Sequence, residues 1–280
     1  MAAEQARARS STPTILARFA IAAALVGCTP PGPPRTSPIP LSAALSMRLA
    51  PAARTLDSAI AAGAAPGGVL AVSYRGQRFV HSVGQLAVDD PRPPDGRTLY
   101  DMASLTKVVA TTTLSMYAVA EHKLDLDAPV VQYLPAFARG KGQKALVTVR
   151  DLLLHASGLP PDPVPGLWKT TRNRKSGVTR AIENDLDTLP GVRMVYSDIN
   201  AIALAAILEK LYHKRLDRLF AEKVARPLGF SRMLFVPPRA WRDEIAATEI
   251  EAFRDSAALR GAAHAENAWW LDGVSGHAAL

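Results

Sequence analysis

The chain has 280 residues, of which 48% are hydrophobic, enough apolar material for a sizeable core in one large domain or two small ones. A net charge of +8 raises the question of nucleic acid, but the basic residues are scattered and the two compact runs, Arg139-Gly140-Lys141-Gly142-Gln143-Lys144 and Arg172-Asn173-Arg174-Lys175, read as solvated loops with no interleaved aromatics. A nucleic-acid partner is therefore discounted, and the single cysteine, Cys28, excludes an internal disulfide and a cysteine-based zinc site.

Residues 1–18 carry Arg7, Arg9 and Arg18 and no long apolar run. Phe19-Ala20-Ile21-Ala22-Ala23-Ala24-Leu25 follows, then Val26-Gly27-Cys28. A basic region, a short apolar region and small residues describe a secretory signal. The apolar run is too short to span a membrane comfortably. Leu25-Val26-Gly27-Cys28 resembles the bacterial lipobox, which implies lipidation of Cys28. The expectation is an exported chain, lipid-anchored to a bacterial membrane and facing the periplasm or cell exterior. Residues 28–45 form a proline-rich tether, extended at roughly 3 Å per residue. The expected division is 1–27 as signal peptide, 28–45 as tether and 46–280 as a partial folded domain.

Residues 41–62 are alanine-rich and predict a helix interrupted at Pro51 and ended by Gly63. Residues 67–74 and 77–83 are β-like, and Arg75-Gly76 between them signals a hairpin. Two strands alone are marginal and need further strands or a covering helix. Residues 89–96 are loop. An apolar run over 105–120 predicts a helix, and a shorter one stops near Tyr133-Leu134-Pro135. Thr148-Val149-Arg150-Asp151 has a capping-box shape and opens a short helix over 151–155. Residues 177–186 are helix-like. Residues 198–212 are strongly apolar on one face, with Asp198 a plausible N-cap, and 216–225 form another amphipathic helix. Residues 237–268 mix short helix with loop.

Chemistry concentrates at Ser104-Leu105-Thr106-Lys107. Positions i and i+3 share a helix face, so the amine reaches the hydroxyl. A helix N-terminus adds unpaired N–H groups and the positive end of the dipole. That setting suits a nucleophilic serine activated by an amine; alone, an N-cap serine beside a solvated lysine is the commoner outcome. Tyr196-Ser197-Asp198 precedes a second helix in the same way. An amine and a phenol flanking one hydroxyl make a proton-transfer relay.

Met102-Ala103-Ser104-Leu105-Thr106-Lys107 resembles the first motif of the β-lactamase-related serine hydrolases, the group of class C β-lactamases, penicillin-binding D,D-peptidases and related esterases. Tyr196-Ser197-Asp198 is similar to the second motif, usually Tyr-x-Asn. Leu124-Asp125-Leu126-Asp127-Ala128-Pro129-Val130 and the stretch from Leu152 to Pro160 resemble its non-catalytic signatures. His264 to Ala268 and Gly273 to Ala278 resemble a late segment of one branch. The resemblance covers roughly 56–280. It implies an α+β, β-lactamase/transpeptidase-like fold, a helical subdomain packed against an antiparallel sheet. It implies Ser104 as the acylated nucleophile, Lys107 and Tyr196 as proton shuttles and Asp198 as their orienting group. Asp in place of Asn favours a charged Lys107 over a phenolate, so the identity of the base stays open. His155 reads as a structural residue holding a turn, and His277 either lines the cleft or caps its own segment.

The third motif of that family, Lys-Thr-Gly or His-Thr-Gly, does not follow Gly276. The expectation is a C-terminally truncated domain with its hairpin present and its later strands missing. Loss of one oxyanion-hole donor costs about 100- to 1,000-fold in rate, so weak activity is expected. The implied function is acyl-enzyme hydrolysis of a β-lactam, a D-Ala peptide or a carboxylic ester, on a small-molecule or cell-wall peptide substrate. The alternative is a lipoprotein that binds cell-wall material without turnover. No Gly-x-Ser-x-Gly elbow or phosphate-cradling glycine loop is present, and neither a cofactor nor a metal is expected.

Overall fold

A computed structural model describes residues 43–171, 173–250 and 258–280. The expected signal peptide, most of the expected tether, Cys28 and Arg172 lie outside the described residues. The first element is helix α1 (Ala43–Ala61), which runs through Pro51 without a break. Proline removes one helical N–H. Here the loss falls on a water-facing side, since Met47, one turn earlier, is 76% exposed. The expected interruption is absent for that reason.

Strands β1 (Gly67–Tyr74) and β2 (Gln77–Gly84) pair antiparallel, from Gly67 opposite Gly84 to Tyr74 opposite Gln77. Arg75 and Gly76 both adopt positive φ, at 47° and 77°, the geometry that lets a two-residue turn follow the strand twist. The sheet has two strands among the described residues. α1 supplies its cover: Leu45 and Ala53 bury against Phe79 in a small core of their own.

The helical body follows. A 3-10 turn (Ala103–Leu105) and a π-type stretch (Lys107–Thr112) lead into α2 (Thr113–Ala120). The expected single helix over 105–120 is thus three windings in one continuous run. Then come α3 (Val130–Tyr133), α4 (Val149–Leu153), α5 (Leu167–Thr170) and α6 (Arg174–Ile182). After them come α7 (Asp198–Tyr212), α8 (Leu216–Phe220) and α9 (Glu266–Trp270). The Thr148–Asp151 capping box forms, with the shorter Asp carboxylate reaching the Thr148 N–H at 2.9 Å. α6 starts earlier than the apolar pattern suggests, because Asn173 caps it through the Ser176 N–H.

α7 is the centre of the body. Nine of its residues are buried, including Ile199, Ile202, Ala203, Ile207 and Leu208, and α2, α4, α6 and α8 pack around it. Each buried Ile or Leu contributes about 1.5–3 kcal/mol. Lys144 departs from the solvated-loop expectation. It is 1% exposed, donates to the carbonyls of Ile182 at 2.6 Å and Asn184 at 2.7 Å, and lies over the Phe137 ring. Burial lowers its pKa to about 8.

Candidate active site

The site begins at a strained turn. The Asp101 carboxylate accepts the N–H of Ala103 at 2.7 Å and that of His264 at 2.9 Å. Between these bonds Ala103 takes φ +44°, a left-handed conformation that costs an alanine about 1 kcal/mol or more. The chain then tightens into the 3-10 turn and widens into the π-type stretch. Ser104 is left exposed, while Lys107 is buried at 7% exposure. One turn of chain therefore offers an accessible hydroxyl with an amine held beneath it.

Lys107 Nζ donates to Ser104 Oγ at 2.9 Å and to the His277 carbonyl at 3.1 Å, and it pairs with Asp198 Oδ1 at 2.7 Å. These three oxygens match the three N–H groups of an ammonium. The Tyr196 ring closes the remaining side, its centroid 4.7 Å from Nζ, a cation–π contact worth about 1 kcal/mol. Tyr196 is half exposed and meets Lys107 through its ring. The structure thus gathers Ser104, Lys107, Tyr196 and Asp198, which are separated by up to ninety-odd residues in sequence, around one ammonium.

The start of α7 is clamped by the turn after α4. The Asp198 N–H donates to Pro161 at 2.7 Å, Ser197 Oγ donates to Pro160 at 2.6 Å, and Ser157 Oγ donates to Asn200 Oδ1 at 2.6 Å. Ser197, not Asp198, occupies the N-cap position. Asp198 stands one residue inside the helix, where its Oδ1 pairs with Lys107. His155 holds the turn at φ +55° and accepts the Ser197 N–H at 3.1 Å through Nδ1. Its ring lies 4.6 Å from that of Tyr196. Burial, then the Lys107 ammonium, push His155 below the usual histidine range. Asp162, nearby, is raised by burial and by the Asp198 charge.

Residues 274–280 fasten the other side. Arg174 forms a two-bond pair with Glu209 and donates to the Val274 carbonyl at 3.2 Å. Thr111 Oγ1 donates to Gly276 at 2.6 Å, and Thr106 Oγ1 accepts the Leu280 N–H at 3.0 Å. Gly276 must be glycine, since a Cβ would lie 2.1 Å from the Ala201 carbonyl oxygen. His277 is buried between Ser275 and Asp198. The sequence leaves this histidine between lining the cleft and capping its own segment, and its signal there is the resemblance of Gly273 to Ala278 to a late family segment. Thr106, next to Lys107, and Thr111, four residues after it, carry no signature in the sequence, since threonines within an apolar run look ordinary. Among the described residues no cluster of His, Cys, Asp and Glu is arranged to hold a metal.

Fold and geometry together describe a serine–lysine site at a helix start, backed by a tyrosine and a carboxylate from a second helix. The family profile described as Beta-lactamase matches residues 52–280, and the chain belongs to that family. A curated relative from Escherichia coli (strain K12), named "Putative D-alanyl-D-alanine carboxypeptidase", is 32% identical over 222 residues, 70% of this chain and 50% of the relative. The chain spans about half the length of the curated relatives it matches. Among solved structures, a class C beta lactamase from Rhodobacter sphaeroides shares the fold at TM-score 0.65 and 23% identity, over 80% of this chain and 60% of that one. EstCE1, a hydrolase with promiscuous acyltransferase activity, does so at TM-score 0.64 and 22% identity, over 78% and 59%. The α+β arrangement, helices with an antiparallel sheet of two strands among the described residues, fits that fold.

Proposed function

We propose that this chain carries an acyl-transfer site in which Ser104 attacks an amide or ester carbonyl and water releases the acyl-enzyme. The carrying observation is the 2.9 Å bond from Lys107 Nζ to Ser104 Oγ, with Asp198 holding the same ammonium from behind. An ammonium whose three N–H groups are engaged has no lone pair to take a proton. It stabilises the developing alkoxide at Ser104 by electrostatics. Tyr196, half exposed, then relays the proton: its phenol oxygen accepts the Ser104 proton as its own hydroxyl proton passes to the leaving group. Asp198 fixes the ammonium in place.

The names of the relatives support a substrate class: a small acyl compound or a cell-wall peptide ending in D-alanine. The test is capture by a fluorophosphonate and by a fluorescent penicillin, read as an intact-mass adduct. Wild type should label at Ser104, and Ser104→Ala should not. Tyr196→Phe should lower the labelling rate about 100-fold or more. Absence of any Ser104-dependent adduct overturns the proposal and leaves the binding-only alternative.

We also propose that the chain is exported and lipid-anchored through Cys28. The basic-then-apolar leader and the placement of the sole cysteine support this. Among the described residues no helix is long and apolar enough to cross a membrane. Cys28→Ala should move the protein from the detergent phase to the aqueous phase on phase partitioning; retention in the detergent phase refutes the anchor.

A further inference from the structure

His277 is 1% exposed, and its imidazole sits between two groups of opposite demand. Nδ1 faces the Ser275 hydroxyl within hydrogen-bond distance. Nε2 has no hydrogen-bond partner and faces Asp198 Oδ2 at 3.7 Å. The carboxylate has two oxygens: Lys107 occupies Oδ1, and His277 stands opposite Oδ2.

The hydrogen bonds decide the tautomer. Ser275 Oγ already accepts the His277 backbone N–H, at 3.4 Å. Its own proton then has one use, donation to Nδ1. That places the ring proton on Nε2, pointing at the carboxylate. The opposite tautomer would aim a lone pair at an anion and leave the serine proton without an acceptor. Charged groups facing the ring are Asp198 and Lys107. Burial outweighs the Asp198 attraction and holds the imidazole pKa down to about 4, so the ring is neutral at neutral pH.

We propose that His277 is a positioning residue for the Ser104 reaction: its Nε2–H steadies Asp198 Oδ2, so that Oδ1 keeps the Lys107 ammonium against Ser104. The separation of 3.7 Å is longer than a hydrogen bond. A small rotation of the Asp198 carboxylate about the oxygen held by Lys107 closes it, and that side chain is 20% exposed. The same residue works from its backbone, since its carbonyl is one of the three oxygens on the ammonium. Mutation leaves that carbonyl in the chain, so the side chain's effect through Asp198 is separable.

This inference rests on the acyl-transfer proposal, so the experiment has two arms. In the first, fluorophosphonate acylation of Ser104 is timed from pH 5 to 10 in wild type, His277→Ala, His277→Gln, Asp198→Asn and Asp198→Asn/His277→Ala. His277→Ala should slow acylation about 10- to 100-fold, the scale of a small misplacement at a reacting centre. His277→Gln, which keeps a donor, should recover most of the rate. In the Asp198→Asn background, His277→Ala should change the rate less than about twofold. Equal slowing in both backgrounds, or no recovery by Gln, overturns the role. In the second arm, ¹⁵N NMR of the His277 ring needs no activity. An Nε2–H tautomer whose shifts move in Asp198→Asn supports the proposal, and an Nδ1–H tautomer refutes it. If wild type takes no label, the acyl-transfer proposal fails and the NMR arm still decides the contact.

Discussion

Asp198→Ala tests the centre of the site through stability alone. The substitution removes the anion 2.7 Å from Lys107 Nζ and leaves an ammonium whose side chain is 8% exposed. Deleting one partner of a buried pair costs about 3–5 kcal/mol. Here Ser104 Oγ, the His277 carbonyl and the Tyr196 face still solvate the cation, which argues for the lower end. Loss of a carboxylate from the first turn of α7 adds about 0.3–1 kcal/mol. The sum is about 3–4 kcal/mol, or a fall in Tm near 10 °C for a domain of this size. Lys107→Met should cost less, about 1–2 kcal/mol, because Asp198 is more exposed and sits at a helix start. The double variant should resemble Lys107→Met, giving a coupling energy of about 3–4 kcal/mol. Urea denaturation of all four proteins at neutral pH is the assay. An Asp198→Ala cost under about 1 kcal/mol, or additivity within about 0.5 kcal/mol, would refute the pairing.

Gly276→Ala pushes a methyl group to 2.1 Å from the Ala201 carbonyl oxygen and 2.7 Å from the Ala205 Cβ. Forced overpacking of this kind costs about 1–3 kcal/mol or more. Relief by lifting the 274–280 segment would also draw the His277 carbonyl off Lys107. Unfolding curves and Ser104 labelling should therefore fall together; a fully stable and reactive Gly276→Ala sinks the argument. Lys144 should reveal itself through pH. Its folded pKa of about 8 lies below the 10.5 of a solvated lysine, which an unfolded chain keeps. Between those values the unfolded chain binds more protons, so wild-type stability rises with pH relative to Lys144→Met. The difference should grow by up to about 3 kcal/mol from pH 8 to 10.5, and a flat difference would show the amine to be solvated.

Local patterns in the sequence carried far. The i, i+3 spacing of Ser104 and Lys107 became a hydrogen bond. Arg75-Gly76 made the two-residue turn, and Thr148 with Asp151 closed its capping box. Each needs only neighbours in the chain. The placement of Tyr196 and Asp198 on Lys107 came from resemblance, since no periodicity links the two stretches. What stayed illegible is what tertiary contacts decide. Pro51 looks like a stop until its neighbour's exposure is known. Lys144 looks like a surface charge until two carbonyls and an aromatic ring surround it. Asp198 looks like a cap until an amine 91 positions earlier takes its carboxylate. His277 gives no local sign of the 1% exposure it ends with.

The fastening of residues 274–280 onto the Ser104 turn fixes when this cluster of side chains can assemble. Met102 donates to the Leu280 carbonyl at 3.0 Å, and Thr106, Lys107 and Thr111 all bond to residues at least 165 positions away. Contacts of such separation close late, after long loops have been ordered. During synthesis, a nascent chain still short of this segment holds Ser104 and Lys107 without the oxygens that set their geometry. The geometry around Ser104 and Lys107 therefore assembles only once residues 274–280 have been made and docked.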